Sequence, residues 1–129
     1  MKRLSLIILC AGILFSSQAF SQSIQILGQG QTLPADQVLL RGLDTLNGTS
    51  QDLEVRVGET VRYGHLILAV DTCRVPRGDP AADAYVFLRI GDVREEEPRF
   101  SGWMFASSPA LSALDHPRYD IWVESCSTS

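Results

Sequence analysis

The sequence predicts an all-β domain, mainly antiparallel, folded as a small sandwich or barrel with one short helix near its C-terminus. Three observations predict it. Apolar and charged residues alternate over short runs such as Leu53-Glu54-Val55-Arg56-Val57, the period of a half-buried strand. Turn formers, including Asn47-Gly48, Gly58-Glu59 and the Pro76–Pro80 stretch, separate the runs at short intervals. Two cysteines, Cys73 and Cys126, each close one of the runs. Many short strands with frequent turns in about 100 residues are the mark of small sandwiches and barrels.

The chain opens with Met1-Lys2-Arg3, an apolar run from Leu4 to Phe15, and small residues at Ser17-Gln18-Ala19-Phe20-Ser21. This is the layout of a secretory signal peptide over residues 1–21, cleaved after Ala19 or Ser21. The run is shorter than the roughly 20 residues needed to span a bilayer, so no membrane span is expected after cleavage. Cys10 sits inside the apolar run, behind Ile8-Leu9, and belongs to that segment. Residues 22–37, rich in Gln and Gly with Pro34, read as a flexible leader or edge segment.

A single β-rich domain is expected over 38–126, with a tail at 127–129. Val38-Leu39-Leu40 begins it, and Leu43 and Leu46 continue it. Asn47-Gly48 predicts a tight hairpin with positive φ at both positions; Asn47-Gly48-Thr49 also matches a glycosylation sequon, but the turn is the stronger reading. Leu53, Val55 and Val57 point inward from the second strand. After Gly58-Glu59, Val61 and Tyr63 resume the alternation, and Gly64 marks a bulge or a close backbone approach. His65 to Val70 is almost continuously apolar and predicts a central strand buried on both faces, closed by Asp71-Thr72-Cys73. Arg74 to Asp83 is a loop, Ala84 to Ile90 a strand, and Gly91 to Arg99, with Glu95-Glu96-Glu97-Pro98, a solvated loop. Phe100 to Phe105 is a strand with Gly102 a kink. Ser108-Pro109 reads as the cap and first position of a short helix with Leu111 and Leu114 on one face, stopped by Pro117. In the last strand, Tyr119, Ile121 and Val123 face one way, and Asp120, Trp122, Glu124 and Cys126 the other.

Composition narrows the function. The whole chain is 45% hydrophobic and 20% charged, with a formal net charge of −4, which excludes disorder and gives no basic stripe for nucleic acid. Without Lys2 and Arg3 the balance is nine basic residues, all Arg, against fifteen acidic, or −6. Two cysteines left in an exported chain predict one disulfide, Cys73 to Cys126, rather than a redox pair, whose cysteines are usually close in sequence. A loop of that size contributes about 4 kcal/mol in the chain-entropy treatment.

No constellation points to catalysis, a cofactor or a metal. Ser107 or Ser108 can be drawn with His116 and Asp115 as a triad, but Asp115 adjoins His116 in sequence and Ser108 is explained as a helix cap. His65 and His116 have no metal-ligand spacing. Asp120 and Glu124, four residues apart on one strand, would stand about 13 Å apart, beyond the ~5–9.5 Å of glycosidase carboxylates. Trp122, between those acids, is the strongest candidate contact for a partner or a sugar ring, unless chain covers it; Asp120, Glu124 and Trp103 complete the candidate contact set.

The run from Phe100-Ser-Gly-Trp to Ala113-Leu-Asp-His-Pro117, with Tyr119-Asp120-Ile121-Trp122-Val123 and Cys126, and the earlier Leu40-Arg41-Gly42-Leu43-Asp44, Val57-Gly58-Glu59-Thr60-Val61 and Cys73, resembles an exported, mainly alphaproteobacterial family, domain of unknown function 2155. The resemblance covers about Val38 to Cys126. It implies no catalytic residue. Members often encoded near a small accessory subunit of respiratory complex I and a lipid-transport component imply an inner-membrane or envelope assembly as partner. The expectation from sequence is therefore a periplasmic, non-catalytic partner-binding or accessory domain. A small-ligand or glycan-binding module and a periplasmic hydrolase are the alternatives.

Overall fold

A computed structural model describes residues 31–129. The expected signal segment, and the leader up to residue 30, lie outside the described residues. The strands are β1 (Thr32–Ala35), β2 (Gln37–Asp44), β3 (Thr49–Arg56), β4 (Thr60–Tyr63), β5 (Leu66–Pro76), β6 (Tyr85–Asp92), β7 (Phe100–Phe105) and β8 (Tyr119–Ser127). They form two antiparallel sheets, as the alternation predicts. The larger runs β1-β5-β6-β7, and β4 shares an edge of β5 with β1: β4 covers Leu66–Ala69 and β1 covers Cys73–Pro76. The smaller runs β3-β2-β8.

The chain passes from the larger sheet to the smaller at Asp36 and returns through Val57-Gly58-Glu59. The inner faces meet in one core. Leu66, Leu68, Val70, Cys73 and Val75 enter it from β5, and Val86, Leu88 and Ile90 from β6. Val38, Leu40, Val55, Tyr119, Ile121 and Val123 enter from the smaller sheet. Burying each such aliphatic side chain contributes about 1.5–3 kcal/mol.

Several expectations are corrected. Of the two readings of the leader, residues 32–35 take the edge segment and not the flexible one, forming edge strand β1, and Ser129 of the expected tail donates to Asp36 from its backbone N–H (2.7 Å) and hydroxyl (2.6 Å). The strand at 65–70 is not buried on both faces. It alternates, with Ile67 36% exposed, because an antiparallel sheet needs only one apolar face. It also runs on past Cys73 to Pro76, with a bulge between Val70 and Thr72. The hairpin at Asn47-Gly48 is in place, but the loop is four residues, Thr45–Gly48, and only Gly48 has positive φ (67°). The Asp44 carboxylate accepts from the backbone N–H groups of Leu46 and Asn47, which shapes this wider turn.

The short helix is absent. Pro109–Leu111 forms one 3₁₀ turn, and the Ser108 side chain makes no cap hydrogen bond. Helix nucleation is costly, and the stretch before Pro117 is too short to recover it. Leu111 is 77% exposed while Leu114 is buried, so the two do not share a face.

The last strand carries the correction with most consequence. Tyr119, Ile121 and Val123 do face the core. Beyond them a bulge lies opposite Leu39/Leu40: Leu40 pairs with Val123 but Leu39 with Ser125, so Glu124 is the extra residue. The bulge reverses the alternation. Cys126 therefore pairs with buried Val38 and turns to the core side instead of sharing the face of Trp122. There its sulfur is bonded to Cys73 of the larger sheet, with Cα atoms 6.4 Å apart and a sequence separation of 53.

Replacing both cysteines by Ala should cost about 4 kcal/mol of unfolding free energy. Denaturant melts of the oxidised protein and the double variant measure it; equal stability would show that the bridge constrains nothing.

Candidate functional site

Two groups of residues stand out. One is buried at an end of the sandwich, where the sequence predicts only a solvated loop; the other is the expected Trp122 neighbourhood.

The buried group closes one end of the sandwich. The inward positions of β6, Val86, Leu88 and Ile90, continue to Asp92, which is 2% exposed. A carboxylate there must be bonded or its burial is costly. Arg94 donates to it from its backbone N–H (2.9 Å), Nε (3.0 Å) and Nη2 (2.7 Å). His116 Nε2 lies 3.0 Å from Oδ2, and both side chains are fully buried. The Arg94 guanidinium and N–H, then His116, hold the Asp92 carboxyl far below the usual range.

His116 Nδ1 accepts the backbone N–H groups of Arg118 (3.0 Å) and Tyr119 (3.2 Å). Its proton must therefore sit on Nε2 and point at Asp92. Neither ring nitrogen is left to take a proton from a serine. Asp92, and not Asp115, is the carboxylate partner of His116, and Ser107 donates its hydroxyl to Asp83 (2.5 Å). The sketched triad is not assembled.

The same end holds Tyr119, tilted on His116 at 5.2 Å between centroids and edge-on to Tyr63 at 5.6 Å. Its hydroxyl accepts the His65 N–H (3.4 Å) and lies against Gly64, where φ is +57° and an added Cβ would clash with that oxygen. The Tyr63 ring lies over Gly42 in the same way. Arg118 stacks on Tyr119 at 5.0 Å and forks onto Asp44 through Nε (2.9 Å) and Nη2 (2.7 Å). That fork is the main reason the Asp44 carboxyl is lowered from 3.8 to about 2.

The second group lies on the outer face of the smaller sheet. Trp122 is half-buried, and its Nε1 donates to Glu124 (2.7 Å). Arg41, cross-strand from Trp122, bonds Asp52 (2.8 Å) and lies 3.6 Å from Glu124. Asp120 is exposed, and its carboxylate has no bonded partner among the described residues. A groove of about 330 Å³ separates Trp122, Ile121 and Asp120 from Pro109, Ala110, Ala113 and Leu114. The 108–117 segment thus flanks the indole without sealing it. Trp103 does not join this set. It stands on the outer face of the larger sheet, edge-on to Phe87 at 5.5 Å.

Asp92 escapes a reading of the sequence because it falls at the start of the charged Gly91–Arg99 stretch, although the inward alternation of β6 continues through it. No local pattern announces Asp44–Arg118, whose members lie 74 residues apart. Among the described residues, no group of three or more His, Cys, Asp or Glu is placed to hold a metal ion, and no helix is long and apolar enough to cross a membrane.

The family described as an uncharacterized protein conserved in bacteria (DUF2155) matches residues 38–126. An uncharacterized protein of Rickettsia prowazekii (strain Madrid E) is 31% identical over 88 residues, covering 65% of this chain and 56% of that protein. The chain therefore matches only a little over half the length of that relative. No solved structure matches the chain.

His116→Ala should destabilise the fold by about 1–3 kcal/mol, because it leaves a buried carboxylate oxygen and two backbone N–H groups short of a partner; a denaturant melt reads this directly. The acid limb should report Asp44 and Asp92. Their folded pKa values lie below the unfolded ones, so their stabilisation is present above the unfolded range near about pH 4 and falls away below it, through about pH 2 for Asp44 and on to still lower pH for Asp92. Melting temperature followed over that range should drop, and Asp44→Asn should flatten the drop; an unchanged slope in the variant would refute the assignment.

Proposed function

This chain belongs to the bacterial family DUF2155, and from that premise we propose that it is an exported, non-catalytic domain that binds a partner in the cell envelope. The observation that carries the reading is the Trp122 groove. It combines a half-buried indole, an apolar wall from the 109–114 segment and an exposed Asp120. Aromatic side chains set in a partly dry hollow with a polar rim are the usual anchors of protein interfaces. The disulfide supports an oxidising compartment such as the periplasm, in keeping with the signal-like N-terminus read from the sequence. An inner-membrane or envelope assembly is the partner class proposed.

The groove also supports the second reading, a small ligand or sugar ring stacked on Trp122. The hydrolase reading loses its support, since His116 and Ser107 are committed to Asp92 and Asp83.

Tagged full-length protein, expressed with its own N-terminus and captured from gently solubilised membranes, should bring down one membrane complex in fixed ratio. Trp122→Ala should lower that capture about tenfold or more with little change in melting temperature. A clean monomer with nothing bound would overturn the reading and bring the ligand alternative forward.

A further inference from the structure

The outer face of the larger sheet is separate from the Trp122 groove and has its own chemistry. Tyr85 and Phe87 of β6 stand opposite Phe105 and Trp103 of β7. Both pairs are edge-to-face, at 5.9 Å and 5.5 Å, and all four rings are half-buried. These aromatics are cross-strand neighbours on the solvent side, not core residues. Further along β6 the face continues through Arg89, held in an ion pair by Asp71 of β5 (2.7 Å), to Gly91, with Ile67 and Ala69 beside them on β5.

Those last three floor a hollow of about 420 Å³ whose far wall is Glu95, Glu96, Glu97 and Pro98. Glu95 is paired with Arg99, but Glu96 and Glu97 have no bonded partner among the described residues. From Tyr85 to Gly91 is six residues of strand, about 20 Å. The face is therefore long enough for an extended segment, aromatic at one end, crossed at its middle by the Arg89–Asp71 ion pair, and apolar with an anionic wall at the other end.

We infer that this face docks a basic protein segment that also carries apolar side chains: apolar groups on the four rings, and a Lys or Arg whose stem lies on Ile67 and Ala69 while its charge meets Glu96 and Glu97. Charge selects this occupant. The described residues carry nine Arg against fifteen acids, a balance of −6, and the two arginines beside the hollow, Arg89 and Arg99, are already paired. A second copy would bring the same negative charge to the face, and a neutral ligand would draw no attraction from the two exposed glutamates. The surface does not depend on the Trp122 reading, and its test uses none of the same contacts.

The probe is a fluorescein-labelled ten-residue peptide alternating Lys and Val, with a Glu–Val peptide as control, titrated by anisotropy against the oxidised full chain. The Lys–Val peptide should bind at least about tenfold more tightly than the control, and binding should weaken steeply with salt. Trp103→Ala and the exposed double change Glu96→Gln/Glu97→Gln should each weaken it about tenfold, whereas Trp122→Ala should leave it unchanged. The double Gln variant removes no described contact, so it tests the charge with the fold intact; a thermal melt verifies this. Equal or absent binding of the two peptides would overturn the proposal, as would loss on Trp122→Ala alone. Concentration-dependent dimers abolished by Trp103→Ala would assign the face to a second copy instead.

Discussion

The Asp92 carboxylate sits where the alternation of β6 demands an apolar residue. A lone charge there would be untenable, so the surrounding chain is arranged to answer it. Arg94 folds back from the next turn, and His116 is drawn in from the far end of the 106–118 connection. Once the His116 ring is held, the residues after it are held too. Its other nitrogen accepts the N–H groups of Arg118 and Tyr119, which sets the entry of β8. Arg118 then reaches Asp44 at the end of β2, and Tyr119 fills the space left by Gly64. One buried acid in the larger sheet thereby positions the central hairpin and the last strand of the smaller one.

The opposite end of β8 is tied differently. The bulge at Glu124 costs one ladder position but turns Cys126 toward buried Cys73, so a covalent link joins the sheets where the polar cluster does not reach. The same bulge keeps Glu124 near Trp122, where its carboxylate accepts the indole N–H. The device that closes the core thus also shapes the rim of the candidate groove.

His116 and Ser107 illustrate how chemical identity differs from chemical availability. A buried His–Asp pair is a familiar catalytic fragment, yet here each nitrogen of the ring already has a structural task. The surfaces that remain open are aromatic and acidic, and they lie on opposite outer faces: Trp122 on the smaller sheet, the Tyr85–Phe87–Trp103–Phe105 group on the larger. Both are the surfaces on which the proposed binding roles rest.

The sequence by itself determined most of the strand runs, though not β1 or the extension of β5 to Pro76, and with them the hairpin near Asn47-Gly48, the inward set Tyr119, Ile121 and Val123, the close approach at Gly64, and the cysteine pair. All of these follow from local periodicity, turn chemistry, or the simple arithmetic of two cysteines. Tertiary structure decided the rest. The reversal of Cys126 depends on a register shift between β2 and β8, which no single strand encodes. The segment after Ser108 carries helix signals but is held as a 3₁₀ turn and an extended run, in a path that delivers His116 to Asp92. Asp92 and Asp44 are each bonded by neighbours in the chain, but the partners that complete them, His116 and Arg118, lie far along it. Trp103 and Trp122, alike in sequence as candidate contacts, are parted because their strands join different sheets. A strand's own residues choose which side is apolar; only pairing with other strands chooses which layer, and which neighbours, that side will meet.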